Sequence, residues 1–426
     1  MKLICGPKSF AFETDPTATQ VVLYSRNDRD DPERATVGAM AKWRFAREKL
    51  SVNQRAWDFL SFALSVITAD FAEPRERSPD GWTRTFDMTV AVAEPDFWNS
   101  QATSLQAALA FLTTDRWRVQ FVPGGDIYDA PNEPAVREED CVLLLSGGLD
   151  SLIGGIDLVR AGKKPIAVSQ LVRGDAEKQL LFANKLGPLK HLSLNHNATA
   201  PEAQASLTQR SRSLIFLAFG IAAATSLQRY HQDEPVILYI CENGFIALNP
   251  PLTDARIGSL STRTAHPYFL NSIQSILDAS GLRVTLTNPY AAKTKGEMLK
   301  CCADQAILQE LAFTSTSCAR FLRFGYRHCG RCVPCQIRRA AFLAWGVPDS
   351  TVYTFNDLGK DNAEHAGFDD VRSAAMAIAQ VKAEGLDGWV RRTLSRMLLG
   401  DTTALKDVVR RGLGELETLH RAYKIK

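Results

Sequence analysis

Two short stretches of this chain combine residue types and spacings that can do chemistry. The first is Leu143-Leu144-Leu145-Ser146-Gly147-Gly148-Leu149-Asp150-Ser151. A continuous apolar run, read as a buried strand, ends in two glycines and opens a helical pattern. Glycines let backbone amides approach an anion and form a nest around it. A helix that follows aims its first N–H groups and the positive end of its dipole at the same point. Ser146 and Ser151 add hydroxyls. Asp150 would repel bare phosphate, so its place implies a cation, Mg²⁺, bridging carboxylate and phosphates. The plain alternative is a tight strand-to-helix turn, which is all that a lone Gly-Gly would support.

The second stretch is Cys318 followed, after ten intervening residues, by Cys329-Gly330-Arg331-Cys332-Val333-Pro334-Cys335. Four thiolates at these gaps can converge on one tetrahedral ion. Zn²⁺ suits four sulfurs and then keeps no open position, which marks a structural centre. An iron–sulfur cluster and redox cysteines are the other readings. His328 reads as a surface group or as one supporting a ligand. The remaining cysteines of the nine, Cys5, Cys141, Cys241, Cys301 and Cys302, read as small core residues.

Other residues carry weaker signals. Glu242 and Asn243 follow the apolar run Val236–Ile240, at the strand end where open α/β sheets bind ligands. They can read the edge of a purine-like base, or simply form a turn with a capping Asn-Gly. Arg263 can take a carboxylate or phosphate with two N–H groups, or a surface ion pair. Lys295 can neutralise charge on departing phosphates, or stand solvated at a helix start. Arg212 faces the same choice. His266 before Pro267 reads as a base or a satisfied loop histidine, and Cys241 as a nucleophile or a buried strand-end thiol.

Ser146-Gly147-Gly148-Leu149-Asp150-Ser151 resembles the Ser-Gly-Gly-x-Asp-Ser signature of the PP-loop ATP pyrophosphatases; the Walker loop would need Gly-Lys-Ser/Thr. The resemblance implies a loop that holds departing pyrophosphate while a nucleophile attacks the α-phosphate of ATP. With Ser317-Cys318, the cysteine run and the trailing Arg338-Arg339-Ala340-Ala341-Phe342…Gly346-Val347-Pro348-Asp349, the stretch from about 140 to 350 resembles the 7-cyano-7-deazaguanine synthase (QueC) family. Arg212-Ser213-Leu214-Ile215-Phe216-Leu217 and Thr294-Lys295-Gly296-Glu297 are similar to two further segments of that family. This chain departs from it in three places. Arg210-Ser211 replaces a Pro-Gly. Cys241-Glu242-Asn243-Gly244-Phe245 and Ser261-Thr262-Arg263-Thr264-Ala265-His266-Pro267 stand where the family has a Gly-Tyr-Pro-Asp-Cys substrate loop. Extra segments lie at both ends. This architecture resembles the QueC-like components of bacterial anti-phage systems, notably QatC of the Qat system.

The resemblance implies an ATP pyrophosphatase and carbon–nitrogen ligase. Taken with the residue chemistry above, the expected catalytic residues are Asp150, Ser151, Lys295 and Arg263, and the expected ATP-binding set is Ser146, Gly147, Gly148, Leu149, Asp150, Ser151, Arg212, Glu242 and Asn243. Cys318, Cys329, Cys332 and Cys335 are then zinc ligands. ATP, Mg²⁺ and Zn²⁺ are the implied cofactors, with a deazapurine substrate and a protein partner from the same defence system.

These residues need elements to hold them. After a turn-rich linker, Pro123–Pro134, continuous apolar strands at Cys141–Leu145, Pro165–Ser169, Leu192–Leu194, Val236–Ile240 and Val284–Leu286 alternate with helices at Ser151–Arg160, Ala176–Leu186 and Ser211–Gln228. That order predicts a parallel sheet covered on both faces. Before it, strands at Gln20–Tyr24, Thr83–Ala93 and Trp117–Val122 alternate with helices at 51–67, capped by Ser51, and Phe97–Leu112, which suggests α+β. After about 346, helical periodicity at Ala374–Ala383, Leu386–Leu399 and Leu405–Leu416 suggests an appendage whose charged faces are solvated. The expected fold is α/β. Its parallel-sheet PP-loop core, like that of adenine nucleotide alpha hydrolases, carries the zinc segment over 137–350. An N-terminal α+β domain over 1–136, open to partner binding, and a C-terminal helical region over 351–426 flank it.

Composition narrows the classes further. The 426 residues are 45% hydrophobic and 23% charged with a net charge of +3, enough to bury ordinary cores and too balanced for a strongly basic nucleic-acid protein. The longest apolar run, Leu214–Thr225, is too short to span a bilayer, and Met1–Phe12 lacks a signal-peptide pattern. A cytoplasmic protein with no membrane or nucleic-acid partner is expected, and clustered cysteines in a reducing compartment point to metal. Two other functions compete: a PP-loop sulfur transferase acting on tRNA, which would want a catalytic cysteine and a basic surface, and a non-catalytic nucleotide-binding adaptor.

Overall fold

Leu3, Ile4 and Cys5 are buried along a single strand, and that strand organises the first layer of the molecule. The computed structural model describes all residues except 27–32, 188, 202–209, 254–262, 361–368, 395–401 and 426, with side chains also left out at 391–394. Ser261, Thr262 and the end of the helix expected over 386–399 therefore lie outside the described residues.

The N-terminal layer is a five-stranded sheet in the order β3-β2-β1-β4-β5, where β1 is Lys2–Pro7, β2 Ala18–Ser25, β3 Ala35–Gly38, β4 Thr85–Ala91 and β5 Arg116–Val122. Every pairing in it is parallel. This corrects the α+β expectation: the N-terminal part is α/β. The alternation in β4 and β5 reports one-sided burial, which says nothing about strand direction. The central β1 and the four-residue β3 carry no period at all and escaped the sequence pattern.

Helices α1 (Ala39–Arg47), α2 (Gln54–Ala72) and α3 (Pro95–Thr113) connect these strands. Asn53, rather than the expected Ser51, caps α2 by accepting from the Arg55 N–H at 2.9 Å. Helix α2 is buried nearly all round, as a helix between two layers must be. Its back packs on α6 (Arg212–Thr225), which covers the second sheet. One apolar core therefore runs from β1 through α2 and α6 into the second sheet.

The second sheet has the order β10-β9-β6-β7-β8, all parallel. Its strands are β6 (Cys141–Leu144), β7 (Pro165–Gln170), β8 (His191–Leu194), β9 (Val236–Tyr239) and β10 (Val284–Thr287). Helices α4 (Leu149–Arg160) and α5 (Ala176–Lys185) fall where periodicity placed them. The chain runs outward from β6 through β7 to β8, then returns to the other side of β6 with β9. That reversal opens a crevice at the carboxyl ends of β6 and β9.

The C-terminal helices are not a solvated appendage. Val408, Val409, Leu413, Leu416 and Leu419 of the last helix, Thr403–Ala422, share an apolar cluster with Phe245, Leu248, Val333 and Ile337. Its charged residues Arg411 and Glu415 face the segment 294–297. Periodicity identified the buried stripe but not its partner. No helix among the described residues is long and apolar enough to cross a membrane.

His420 seals the junction of this last helix with the helix Val333–Trp345; its Nε2 meets Gln336 Oε1 at 2.9 Å. Burial pushes its pKa down from 6.5 to about 4, and burial does the same to His191 and His196. Between those values the unfolded chain binds protons that the folded chain refuses, so stability is full above about pH 6.5 and is lost as pH falls towards 4. Thermal unfolding followed from pH 8 to 4 should show a flat midpoint that declines below 6.5. His420→Gln, which keeps a polar partner for Gln336, should make that decline shallower; an unchanged slope would contradict this assignment.

Candidate active site and metal centre

The loop from β6 into α4 turns on Gly147, whose φ of 86° is a left-handed conformation that costs other residues strain. Ser146 and Ser151 close the loop on itself: their hydroxyls lie 3.1 Å apart, and Ser151 Oγ donates to the Gly148 carbonyl at 3.0 Å. Gly148 is the N-cap of α4 and no side chain caps it. The first amides of α4, including that of Leu149, therefore lie at the mouth of the loop, as an anion nest requires.

Asp150, in the first turn of this helix, is 5% exposed. Lys295 Nζ donates to its Oδ1 at 2.6 Å, and the Asn243 side-chain and backbone N–H groups donate to its Oδ2 at 2.7 and 3.1 Å. Burial opposes the charge on Asp150, but Lys295, Glu242 and Asn243 outweigh it and hold the carboxyl at about 2. Lys295 is itself 7% exposed, so the solvated-helix reading does not apply to it.

Asn243 leaves β9 at the crevice and caps the short helix Gly244–Ala247, its Oδ1 accepting from the Ile246 N–H at 3.0 Å. Both ends of its amide are thereby engaged within the protein. It holds Asp150 rather than presenting a free edge to a base. Its Nδ2 also donates to Glu242 Oε1 at 3.3 Å, and this brings a second carboxylate beside Asp150. Lys295 starts the helix Lys295–Cys301, fixed by a reciprocal capping box between Thr294 and Glu297.

The structure adds residues that spacing did not flag. Asp175 stands beside Gly147, and Thr316 Oγ1 donates to its Oδ1 at 2.9 Å. Lys178 donates to Thr316 Oγ1 and sits over the Phe321 ring at 4.2 Å. The Thr316 N–H donates to the Gly147 carbonyl at 3.0 Å. Gln179 joins the Ser146 and Gln170 carbonyls, and the Arg212 Nε donates to Gln170 Oε1 at 3.2 Å. Arg212 thus reaches the same sheet edge. Asp70 of α2 holds the start of its helix, accepting from the Ser211 N–H and hydroxyl. A basic residue in the first turn of α5 and a threonine two residues before Cys318 are weak signals on their own, and only the fold joins them.

Three residues stand apart from this group. Arg263 donates to the Phe111 carbonyl at 2.7 Å and lies over the Phe111 ring, at the seam with α3. His266 caps the helix Pro267–Ala279 through Nδ1, the satisfied-histidine reading. Burial pushes the Cys241 thiol well above its ordinary value, which suits a core thiol and not a nucleophile.

The four clustered cysteines converge. All four sulfurs are buried and lie within 4.8 Å of one another, with Cys318–Cys332 and Cys329–Cys335 both at 3.9 Å. Four sulfurs about 2.3 Å from one ion would be about 3.8 Å apart, so the donor set fits zinc. N–H groups of Arg320 and Cys329 point at Cys318 Sγ, and those of Arg331 and Cys332 at Cys329 Sγ, a pattern that favours thiolates. His328 is not among the ligands; its Nε2 accepts from the Ser317 N–H at 3.1 Å. Arg338, fully buried, ties Ala312, Ser315, Ser317 and Thr351 together.

Because Thr316 bonds the Gly147 carbonyl and Cys318 follows two residues later, a metal held by the four cysteines would brace the loop Ser146–Ser151. Elemental analysis should find about one zinc per chain. Cys332→Ser should lose it and weaken ATP binding with it. Asp150→Asn should keep the zinc; full ATP affinity in a metal-free Cys332→Ser protein would refute the bracing.

No family model matches the chain. Among curated proteins, it is 28% identical over 244 residues to the 7-cyano-7-deazaguanine synthase of Agrobacterium fabrum, covering 51% of this chain and 93% of that protein. It is 27% identical over 154 residues to the 7-cyano-7-deazaguanine synthase of Rhizobium meliloti, covering 35% of this chain and 53% of that protein. The chain is therefore similar to 7-cyano-7-deazaguanine synthases over about half its length, which supports a QueC-like family.

Proposed function

We propose that this protein is an ATP-dependent, AMP-forming enzyme that activates a carboxylate on a 7-deazaguanine-type substrate and transfers the acyl group to an amine. The observation that carries the reading is the buried Asp150–Lys295 pair, held by Asn243 beside the loop Ser146–Ser151 at the crevice of a parallel sheet. The similarity to two proteins named as synthases of a deazaguanine supports the substrate class and the status of enzyme.

A carboxylate is a poor acyl donor because its oxygen leaves badly. Its attack on the α-phosphate of ATP gives an acyl-adenylate and pyrophosphate, and an amine then displaces AMP. The loop amides from Gly147 to Ser151 receive the departing pyrophosphate, and Lys295, with Lys178 at the far side of the loop, neutralises its growing charge. Asp150 and Glu242 are the two carboxylates that would hold Mg²⁺, which supplies charge neutralisation on the phosphates. Arg212 faces the same edge and suits the substrate carboxylate. Arg263 has its place on the α3 seam, against the carbonyl and ring of Phe111.

We keep the division into 1–136, 137–350 and 351–426 as part of this proposal, with the chemistry in the second. The extra segments, the altered 241–245 and 261–267 loops and the resemblance to QatC of the Qat anti-phage system suit a protein amine from a defence partner as acceptor, with ammonia as the other candidate. A sulfur-transferring enzyme is disfavoured by the Cys241 thiol, which burial makes harder to ionise.

Incubation with ATP, Mg²⁺ and 7-carboxy-7-deazaguanine, with and without ammonia and candidate partner proteins, should yield AMP, pyrophosphate and an acyl-amine product whose mass names the acceptor. Asp150→Asn should lower AMP formation by about 100-fold or more while leaving partner binding intact. ATP bound without any AMP formed would instead indicate an adaptor.

A further inference from the structure

The last helix, Thr403–Ala422, reaches back across more than a hundred residues of chain to the segment that carries Lys295. Glu415 Oε1 accepts from the Thr294 hydroxyl, and its Oε2 from the Gly296 N–H at 3.4 Å. Thr294 Oγ1 in turn accepts from the Glu297 N–H at 3.1 Å. The hydroxyl therefore relays between the C-terminal helix and the capping box on which Lys295 sits. Arg411, one turn before Glu415, donates to Glu297 Oε1 at 2.6 Å and to the Ala292 carbonyl at 3.0 Å. Between them, Gly412 lies flat on Phe245, where a Cβ would come within 2.4 Å of the ring. Phe245 is two residues beyond Asn243. One helix face thus presses on both segments that supply Asp150 with its donors.

We propose that Glu415 is a positioning residue for Lys295: by fixing Thr294 and Gly296 it sets the lysine amine on Asp150 at the phosphate loop. The consequence for catalysis rests on the AMP-forming reading; the positioning itself does not. Burial pushes the Glu415 carboxyl above its ordinary value, so a neutral side chain of the same length suits the site. Length matters more than charge here, because the contact is to a single hydroxyl and one N–H.

Two measurements separate the two ideas. A brief pulse of an acetylating N-hydroxysuccinimide ester, read by peptide mass spectrometry, reports how well Lys295 is held, with no ATP chemistry involved. Lys295 should be protected in the wild type and in Glu415→Gln, and labelled about tenfold faster in Glu415→Asp and Glu415→Ala. Equal labelling in all four overturns the proposal. AMP formation with 7-carboxy-7-deazaguanine should then fall about tenfold in kcat for the Asp and Ala variants, with KM for the carboxylate unchanged and Gln near wild type. If Glu415→Ala fails to fold, the Gln and Asp pair carries the test, and a Gln variant as impaired as Asp overturns it. Wild-type protein that protects Lys295 yet makes no AMP would sink the enzymatic reading alone.

Discussion

A buried carboxylate facing a buried ammonium is the constraint on which this structure turns. Taking Asp150 and Lys295 out of water costs several kcal/mol per ion before any attraction is counted, and removing either partner strands the other at about 3–5 kcal/mol. A protein keeps such a pair only if further donors complete it. Here Asn243 supplies two N–H groups to the second oxygen of Asp150, while the Thr294–Glu297 box locks the backbone under Lys295. The pair spans 145 residues of sequence, so it also ties the start of the parallel sheet to its end. On the proposed reading the pair is pre-organised for phosphate: the Lys295 cation stands beside the Ser146–Ser151 loop, where that charge would arrive.

Around this pair the chain builds three supports, each from a different part of the fold. The zinc-type cysteine cluster anchors Thr316, which bonds both the loop and Asp175. Helix α2 of the N-terminal layer lends Asp70 to the start of α6, and so holds Arg212 at the same sheet edge. The C-terminal helix clamps the Asn243 and Lys295 segments from outside. The N-terminal and C-terminal segments, which look like additions along the sequence, are continuous with the site's own cores. Both segments therefore pack behind the elements that line the crevice.

What could be read beforehand follows from how local each signal is. The loop Ser146–Ser151 and the cysteine run are local, since their chemistry is written in adjacent residues, and the cysteines do converge as their spacing implied. The centre of the second sheet was legible because β6 and β7, buried on both faces, leave continuous apolar runs. The first sheet was not. Its β4 and β5 bury one face and alternate like antiparallel strands, and its central β1 is too short to show a period. Asn243 lies at the expected place but acts on Asp150 and a helix start instead of offering a free edge. Lys178 and Glu415 were invisible because each has meaning only through a residue more than a hundred positions away.

The central claim is that ATP is opened at its α-phosphate by a carboxylate in front of the Asp150–Lys295 pair. Supplying 7-carboxy-7-deazaguanine labelled with ¹⁸O in its carboxyl group, then weighing the nucleotide product, tests this most directly. Attack by the carboxylate predicts AMP carrying one ¹⁸O in its phosphate. Unlabelled AMP, which would mean water was the nucleophile, or ADP with inorganic phosphate, which would mean cleavage at the other bond, would contradict the account.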